Sequence, residues 1–348
     1  MRFRRSSKLL PPPAAADLEA ARAVIERSGR AISHLALLGD KRLLFDGDRT
    51  AFVMFGVRGK SWVALGDPVG PVGSVPAMVS AFREICRRHR ARPAFYHVEE
   101  TNLPLYLDMG LSVYKIGEEA LLPLGSFSPA GGAHQKFRQL AHRFEREGIR
   151  FRLVAPAEVP PLLPALRAVS DSWLRRKHGR EKGFSLGYFR EDYLARFPVA
   201  LVLKEGRVAA FTNVRLGAGR SELSGDLLRY DPAMTAPGII DYLFWRLILW
   251  GKEEGYAFFN LGMAPLAGLR KRGVSPPLPS PFWNRFGTFL FHFGEHFYHF
   301  RGLRAFKEKY HPIWVPQYLA CPGGLRLPRV LADLTALISR GFKGILLK

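Results

Sequence analysis

Twice along this 348-residue chain, short runs rich in β-branched and aromatic residues alternate with longer segments of helical periodicity. The order is the same each time: strand, helix, strands, helix, strand. This alternation constrains the fold most, because it is typical of a mixed sheet covered by helices. The first series occupies residues 32–124 and the second 151–260, without a visible residue-level repeat. The sequence therefore predicts an α/β fold of two similar units in tandem, each a mixed sheet with flanking helices.

The element boundaries follow from the periodicity and from Gly, Pro and Asp turns. We predict strands at 32–38, 51–57, 61–65, 94–98, 111–116, 120–124, 151–154, 199–204, 207–215, 222–229 and 256–260. We predict helices at 76–89, 103–109 and 134–147, within 159–177 and 187–196, and at 238–253.

A stretch rich in Pro, Ser and Gly at 126–132 interrupts the pattern and precedes a basic helix, so we expect the domain transition there. The predicted domains are a basic N-terminal tail (1–13), a first α/β domain (14–125), a linker with the basic helix (126–150), a second α/β domain (151–325) and a C-terminal basic amphipathic helix (326–348). The terminal helix fits two interpretations equally, an element packed on the core or a membrane-surface helix.

Charge indicates the class of partner. The chain has 52 Lys and Arg against 30 Asp and Glu, a formal net charge of +22, which favours a polyanionic partner. Nucleic acid and an anionic membrane surface both satisfy that condition. Cys86 and Cys321 lack metal-ligand spacing, which favours a reducing compartment without a disulfide framework. No apolar run approaches the roughly 18 residues of a membrane span, so we expect a soluble or peripheral protein.

Two segments near the end of the second series predict an anion-handling cleft. Asn260, Gly262 and Met263 follow a hydrophobic strand, where a turn toward Pro265 brings small residues and free backbone groups to the surface. A basic and aromatic segment downstream supplies cationic donors and stacking faces, and its candidate residues are Arg301, Arg304, Lys307, Lys309 and Tyr310. We expect the lysines to be exposed on a helix face and to bind anions. The alternative is a solvated helix face without a binding role.

A second pair of segments combines acids and bases. Asp226 and Arg229 stand three apart near a strand end, so both can line one site only if the strand ends or bulges between them. A structural ion pair is the alternative. Glu181 and Lys182 lie in a loop that ends at Gly187, which suits either a substrate lid or an ordinary surface loop.

Metal and cofactor signals are weak. His292 and His296, with Glu295 and His299, have a spacing that can hold zinc on one helix face, but their neighbours are aromatic and no H-E-x-x-H motif is present. We therefore predict no metal. The sequence also lacks a Walker loop, a G-x-G-x-x-G turn after a strand and a G-x-S-x-G elbow, so we predict no cofactor.

Taken together, these segments resemble the cytosolic catalytic region of bacterial aminoacyl-phosphatidylglycerol synthases, the multiple peptide resistance factor family. The resemblance spans nearly the whole chain. It rests on LALLGDK (35–41), WVALGDPVGP (62–71), KIGEEA (115–120), EKGFSLG (181–187), GDLLR (225–229), FNLGMAP (259–265), GLR (302–304) and FKEKY (306–310).

The resemblance implies tandem acyltransferase-like domains of the GCN5-related type, of which the second is catalytic. It also implies transfer of an aminoacyl group, lysyl or alanyl, from aminoacyl-tRNA to the glycerol hydroxyl of phosphatidylglycerol, which lowers the negative charge of the membrane. The expected place is the cytoplasmic face of the bacterial inner membrane. Family members usually carry a multi-span flippase region that this sequence lacks, so we expect an excised catalytic region or a free-standing synthase. Only Ala236-Pro237-Gly238 stands where acyl-CoA enzymes bind pyrophosphate, which disfavours a CoA donor.

Under this resemblance, Asp226, Arg229, Lys307 and Lys309 become the catalytic candidates. Asp226 would hold the aminoacyl amine, and the three cations would bind phosphate or the developing oxyanion. The substrate-binding candidates are Glu181, Lys182, Asn260, Gly262, Met263, Arg301, Arg304 and Tyr310. The residue that moves the proton, the amino acid and the acceptor stay open. Two alternatives are aminoacyl transfer to another lipid or a peptidoglycan precursor, and a non-catalytic module that binds RNA or membranes.

Overall fold

The structure is a computed structural model that describes residues 10–177, 179–268 and 300–340. Its strands are β1 (Arg42–Phe45), β2 (Phe52–Arg58), β3 (Ser61–Leu65), β4 (Arg92–Val98), β5 (Ser112–Pro123), β6 (Arg150–Val154), β7 (Val199–Lys204), β8 (Arg207–Leu216), β9 (Glu222–Gly225), β10 (Arg229–Tyr230), β11 (Phe258–Pro265) and β12 (Ile313–Cys321). Its α-helices are α1 (Ala15–Ile25), α2 (Val75–Arg88), α3 (Leu103–Asp108), α4 (Gln135–Arg146), α5 (Leu163–Arg176), α6 (Glu191–Leu194), α7 (Ile239–Glu253), α8 (Phe300–Glu308) and α9 (Leu327–Ile338).

Contacts group the described residues into two compact units. The first unit comprises residues 42–122 and 260–335 together with 10–11, and the second comprises 12–41, 123–259 and 336–340. Each unit contains a sheet with helices, so the predicted α/β class of mixed sheets with flanking helices is confirmed.

The sheet of the first unit has the strand order β1-β2-β3-β4-β12-β5-β11. The β3–β4 pair is parallel, whereas β1–β2, β2–β3, β4–β12 and β12–β5 are antiparallel. Helix α2 begins beside Pro76 and buries Met78, Val79 and Phe82 on one face. Aromatic rings then extend the core inward, since Phe82 packs edge-on against Phe95 at 5.2 Å between ring centroids.

The sheet of the second unit has the order β9-β8-β7-β6, all antiparallel, and β10 also pairs with β8. Helix α5 buries Leu166 and Val169, which pack in one cluster with Leu201 of β7 and Phe211 of β8. This packing fixes the carboxyl end of α5 beside the short strand β10.

Four predicted strand assignments are wrong. The strand predicted at 222–229 is two strands, β9 and β10, with residues 226–228 between them. Residues 31–38 form a mostly buried 3₁₀ helix that ends at Gly39 with φ of 69°, because a short, mostly apolar run does not distinguish strand from helix. The strands predicted at 111–116 and 120–124 are one strand, β5. The strand predicted to stop at Asn260 continues to Pro265, so residues 260–265 belong to the sheet and do not form a turn.

Helix α9 is packed on its apolar side, where Val330, Leu331 and Leu334 are buried. Asp333 of this helix is also buried, and its carboxylate accepts a hydrogen bond of 2.7 Å from the Ser61 hydroxyl of β3. Arg92 Nη2 lies 3.4 Å from the same oxygen. Phe342 and Ile345, which we expected to continue the helix, lie outside the described residues. No helix in the described part of the chain is long and apolar enough to cross a membrane.

We expect Asp333→Ala to lower the free energy of unfolding by about 1–3 kcal/mol, because it leaves the buried Ser61 hydroxyl without its acceptor. Urea unfolding measures this change. Arg329→Ala is the matched control on the same helix. Arg329 is 68% exposed and lies 3.8 Å from Asp333, so its loss should change stability by less than about 0.5 kcal/mol. Equal effects of the two substitutions would contradict the assigned role of Asp333.

Candidate active site

The predicted site residues fall into two clusters, one in each unit. The lysine cluster in the first unit contains Lys307 of α8, Glu119 of β5, and Asn260, Gly262 and Met263 of β11. The arginine cluster in the second unit contains Arg229 of β10 and Glu181 of the 181–187 loop.

Lys307 is only 4% exposed, so the prediction that it lies on an exposed face is wrong. Its Nζ donates hydrogen bonds to the carbonyl oxygens of Gly262 (2.7 Å) and Met263 (2.8 Å). Gly262 adopts a φ of 81°, a backbone conformation that residues other than glycine rarely adopt. The Asn260 side-chain oxygen accepts the Gly262 N–H at 2.8 Å and holds the backbone in that conformation. Both carbonyls therefore converge on one amine.

Glu119 supplies a buried carboxylate to the same cluster. One of its oxygens accepts a hydrogen bond from Asn260 Nδ2 at 3.0 Å, and the other accepts one from Gln317 Nε2 at 3.3 Å. His97 Nε2 lies 3.7 Å from the first oxygen. Because β4, β12, β5 and β11 are consecutive in the sheet, side chains on one face of these strands can meet. Burial lowers the pKa of the Lys307 ammonium to about 7, and the charge of Glu119 opposes that shift.

Arg304 of α8 already has an anionic partner. Its Nη1 donates to Glu118 at 2.8 Å, Lys115 Nζ donates to the other oxygen of Glu118 at 2.8 Å, and the guanidinium lies 4.3 Å from the centroid of the Trp314 ring. Burial raises the pKa of the Glu118 carboxyl, but the hydrogen bonds from Lys115 and Arg304 outweigh it and the net direction is downward. Arg304 therefore has its charge compensated.

The other predicted residues in and just after α8 occupy different environments. Tyr310 is fully buried and packs edge-on against Phe306 at 5.7 Å, which gives it a core position. Lys309 is exposed, as predicted, with its Nζ 4.5 Å from the centroid of the Phe306 ring. The backbone of Arg301 lies in the helix, and its side chain is outside the described residues.

The arginine cluster joins β10 to α5 and to the 181–187 loop. Arg229 is 8% exposed, and its Nη2 donates to Glu181 at 2.7 Å. Its guanidinium lies 4.2 Å from the centroid of the Trp173 ring. Its Nε is buried without a hydrogen-bond partner among the described residues. Burial lowers the pKa of Arg229, and Glu181 opposes that shift.

Asp226 anchors the loop that carries Glu181. Its two carboxylate oxygens accept the Gly187 N–H (3.0 Å) and the Tyr193 hydroxyl (2.8 Å). A Cβ at Gly187 would lie 2.1 Å from the carboxylate, so only glycine permits this approach. The strand is interrupted here, since β9 ends at Gly225 and β10 begins at Arg229, which meets the condition for Asp226 and Arg229 to line one site. Lys182 of the loop is half-buried.

Sequence reasoning missed four contributors, Glu119, Gln317, Trp173 and Tyr193. The Glu118-Glu119 pair inside an apolar strand was a usable signal, because adjacent strand residues face opposite sides and one acid then faces the core. Trp173 and Tyr193 gave no such signal. Among the described residues no group of three His, Cys, Asp or Glu side chains could hold a metal ion. His292, Glu295, His296 and His299 lie outside those residues.

Comparison with known proteins places this geometry in a family. The family model for the C-terminal part of phosphatidylglycerol lysyltransferase matches residues 22–321. The phosphatidylglycerol lysyltransferase of Bacillus subtilis (strain 168) is 40% identical over 321 residues, which cover 91% of this chain and 36% of that protein. Two solved structures are similar throughout. The C-terminal domain of a putative lysylphosphatidylglycerol synthetase from Agrobacterium fabrum has a TM-score of 0.85 and 39% identity, covering 94% of this chain and 98% of that one. L-PGS from Bacillus licheniformis has a TM-score of 0.84 and 38% identity, covering 96% and 99%.

The chain therefore belongs to the family of phosphatidylglycerol lysyltransferase C-terminal regions, which confirms the resemblance read from the sequence. It spans about 36% of the length of the curated relatives it matches.

The low pKa of Lys307 predicts a pH-dependent stability. In the unfolded chain a lysine titrates near about 10.4, so between about pH 7 and that value the unfolded state binds more protons and stability rises with pH. Replacing Lys307 by Met removes this contribution. From about pH 6 to about pH 9, the free energy of unfolding of wild type should therefore rise by about 2–3 kcal/mol relative to that of Lys307→Met. Urea unfolding at both pH values measures it.

Lys309→Met is the control, because Lys309 is exposed two residues away and its loss should leave the pH profile of wild type unchanged. Parallel profiles for wild type and Lys307→Met would contradict a depressed pKa at Lys307.

We expect Asp226→Asn to cost about 1–3 kcal/mol of stability and to expose the 181–187 loop to proteolysis, because the neutral amide cannot accept both existing hydrogen bonds. Tyr193→Phe should show part of the same effect. Asp171→Asn on the exposed side of α5 is the control. Wild-type stability and loop protection in Asp226→Asn would refute the anchoring role.

Proposed function

We propose that this chain is the transfer region of a phosphatidylglycerol lysyltransferase and moves a lysyl group from lysyl-tRNA to the glycerol hydroxyl of phosphatidylglycerol. The names of its relatives support the lipid acceptor and the amino acid. The net charge of +22 supports two anionic substrates, a tRNA and a phospholipid surface. The same charge supports a location at the membrane surface, which in this proposal is the cytoplasmic one.

The observation that carries the proposal is the buried Lys307 amine with a pKa of about 7. When neutral, the amine has two N–H groups, and both can be used by the Gly262 and Met263 carbonyls. Its lone pair is then left over to accept a proton. A lysine that is largely neutral near physiological pH can act as a general base, which an exposed lysine cannot do efficiently.

The reaction is a transesterification. The glycerol oxygen attacks the carbonyl carbon of the aminoacyl ester, and its proton passes to Lys307 Nζ. A tetrahedral oxyanion forms, the bond between the carbonyl carbon and the ribose oxygen breaks, and Lys307 returns the proton to that oxygen. The donor is an activated ester, so this proton transfer and the positioning of the two substrates suffice without a covalent enzyme intermediate.

Glu181 and Arg229 have separate roles in the proposal. Arg229 binds phosphate of an anionic substrate, and Glu181 is the ion-pair partner that holds the guanidinium in place. Asp226 acts as a positioning residue, because its oxygens already hold Gly187 and Tyr193. Lys182, Lys309 and Arg301 contribute to the positive field around the substrates. Arg304 is paired with Glu118, and Tyr310 supports the core beside α8.

The protein is incubated with phosphatidylglycerol vesicles and lysyl-tRNA, and in a parallel reaction with the same vesicles and alanyl-tRNA. Mass spectrometry of the lipids then tests the function. Lysyl-phosphatidylglycerol is the expected product. Alanyl-phosphatidylglycerol alone would correct the amino acid. Release of free amino acid without any lipid product would contradict the acceptor.

Lys307→Ala should lower the transfer rate at pH 7 by about 100-fold or more, since general base catalysis contributes about 10²–10⁴-fold. Lys309→Ala, which removes an exposed charge, should lower it far less. Equal losses would show that both lysines act only through the surface field. Full activity of folded Lys307→Ala would instead favour the α-amine of the substrate as the proton acceptor.

A further inference from the structure

A polar cleft of about 370 Å³ opens in the second unit between the carboxyl end of α5 and the turn after β10. Its lining residues are Arg176, Lys177, Tyr230, Pro232 and Thr235. The volume lies near the lower end of the range of about 300–1,000 Å³ typical of small-molecule sites, so the cleft is large enough for a single nucleotide.

The wall formed by the turn is held in place by its own hydrogen bonds. Asp231 Oδ1 accepts the Ser172 hydroxyl of α5 at 2.9 Å and the Ala233 N–H at 3.0 Å. The Thr235 hydroxyl donates to the Pro232 carbonyl at 3.2 Å. The turn is therefore fixed to the helix that forms the opposite wall, and the cleft is preformed.

The cleft carries an excess of positive charge. Arg176 and Lys177 are exposed, and neither makes an ion pair among the described residues. Asp231, between the lining residues Tyr230 and Pro232, carries one negative charge held by Ser172 and Ala233, so the two cations outnumber it. Tyr230 is half-buried and offers an aromatic ring beside the two cations. Two cations with one aromatic ring are the combination that binds the phosphate and base of a single-stranded nucleotide.

The cleft is also continuous in the chain with the arginine cluster. Tyr230 directly follows Arg229 in β10. Trp173 stands three residues before Arg176 in α5, so these two side chains lie on one side of that helix. The Trp173 ring lies against the Arg229 guanidinium. A nucleotide in the cleft is thus held by the same two elements that hold Arg229 and Glu181.

We propose that this cleft binds an unpaired nucleotide of single-stranded RNA, with its phosphate on Arg176 and Lys177 and its base against Tyr230. The inference rests on the proposed function, in which the aminoacyl group arrives on the end of an RNA. A phospholipid headgroup has the same phosphate chemistry. RNA is favoured because a bilayer surface offers no base to the Tyr230 ring, and no exposed large apolar side chain lines the cleft to enter the lipid.

The test is fluorescence anisotropy of a short labelled single-stranded RNA and of uncharged tRNA, at several salt concentrations. Arg176→Gln combined with Lys177→Gln should weaken RNA binding by about 10-fold or more at low salt. It should also reduce the slope of log K against log salt by about 0.7, the contribution of one phosphate contact on a single strand. Tyr230→Ala should weaken binding at every salt concentration, and Tyr230→Phe should preserve it.

The matched control removes one lysine and one arginine elsewhere on the same unit, Lys204→Gln with Arg207→Gln in the β7–β8 hairpin. An equal loss in this control would overturn the proposal, because the effect would then come from net charge alone. Unchanged RNA affinity in the cleft variant would also overturn it. So would loss of binding to phosphatidylglycerol vesicles without loss of RNA binding, which would make the cleft a headgroup site.

These binding assays use no aminoacyl transfer, so they separate the two proposals. If wild type transfers a lysyl group but the cleft variant binds RNA normally, the function stands and the cleft proposal fails. If wild type forms no lipid product yet binds RNA through the cleft, the cleft proposal stands and the proposed function fails.

Discussion

The burial of an amine beside backbone carbonyls is the constraint on which the first unit depends. An ammonium removed from water needs hydrogen bonds, and it loses its proton when they do not offset the lost hydration. Lys307 receives two carbonyls and a nearby carboxylate, which is enough to keep the side chain folded inside and too little to keep its pKa at the usual value. The conformation of Gly262 and the extension of β11 to Pro265 both serve that arrangement. A strand that stopped at Asn260 would provide neither carbonyl.

The second unit holds its charges by a different arrangement. Arg229 is buried against an acid and an aromatic ring, so its charge is neutralised within the cluster. Asp226 is held by a backbone N–H and a phenol, and Arg215 Nη1 lies 4.0 Å from its carboxylate. Glu181 supports the same segment, since its other oxygen accepts the Phe189 N–H at 3.2 Å. Both carboxylates therefore hold the chain between residues 181 and 190 in place.

The sequence predicted the alternation of elements well, because strands such as 61–65 and 199–204 have clear boundaries in composition. It failed at residues 31–38, where six of the eight positions are buried and the periodicity does not separate strand from helix. It located Lys307 through a basic and aromatic pattern, yet that pattern could not reveal burial, which depends on β11 and β5 far away in the chain. Trp173 and Tyr193 were missed for the same reason, since their partners are about 33–56 residues away in the sequence.

The placement of the acids explains why so basic a chain can fold and still present a positive surface. Glu118, Glu119, Glu181, Asp226 and Asp333 are at least partly buried, and each is engaged by donors of its own unit. Exposed cations such as Arg176 and Lys177 have no ion-pair partner among the described residues, and the net charge of +22 gives the surface a positive field. A field of that sign attracts polyanions without selecting among them. Selection then requires sites with fixed geometry, and the rigid walls of the cleft beside α5 supply one of them.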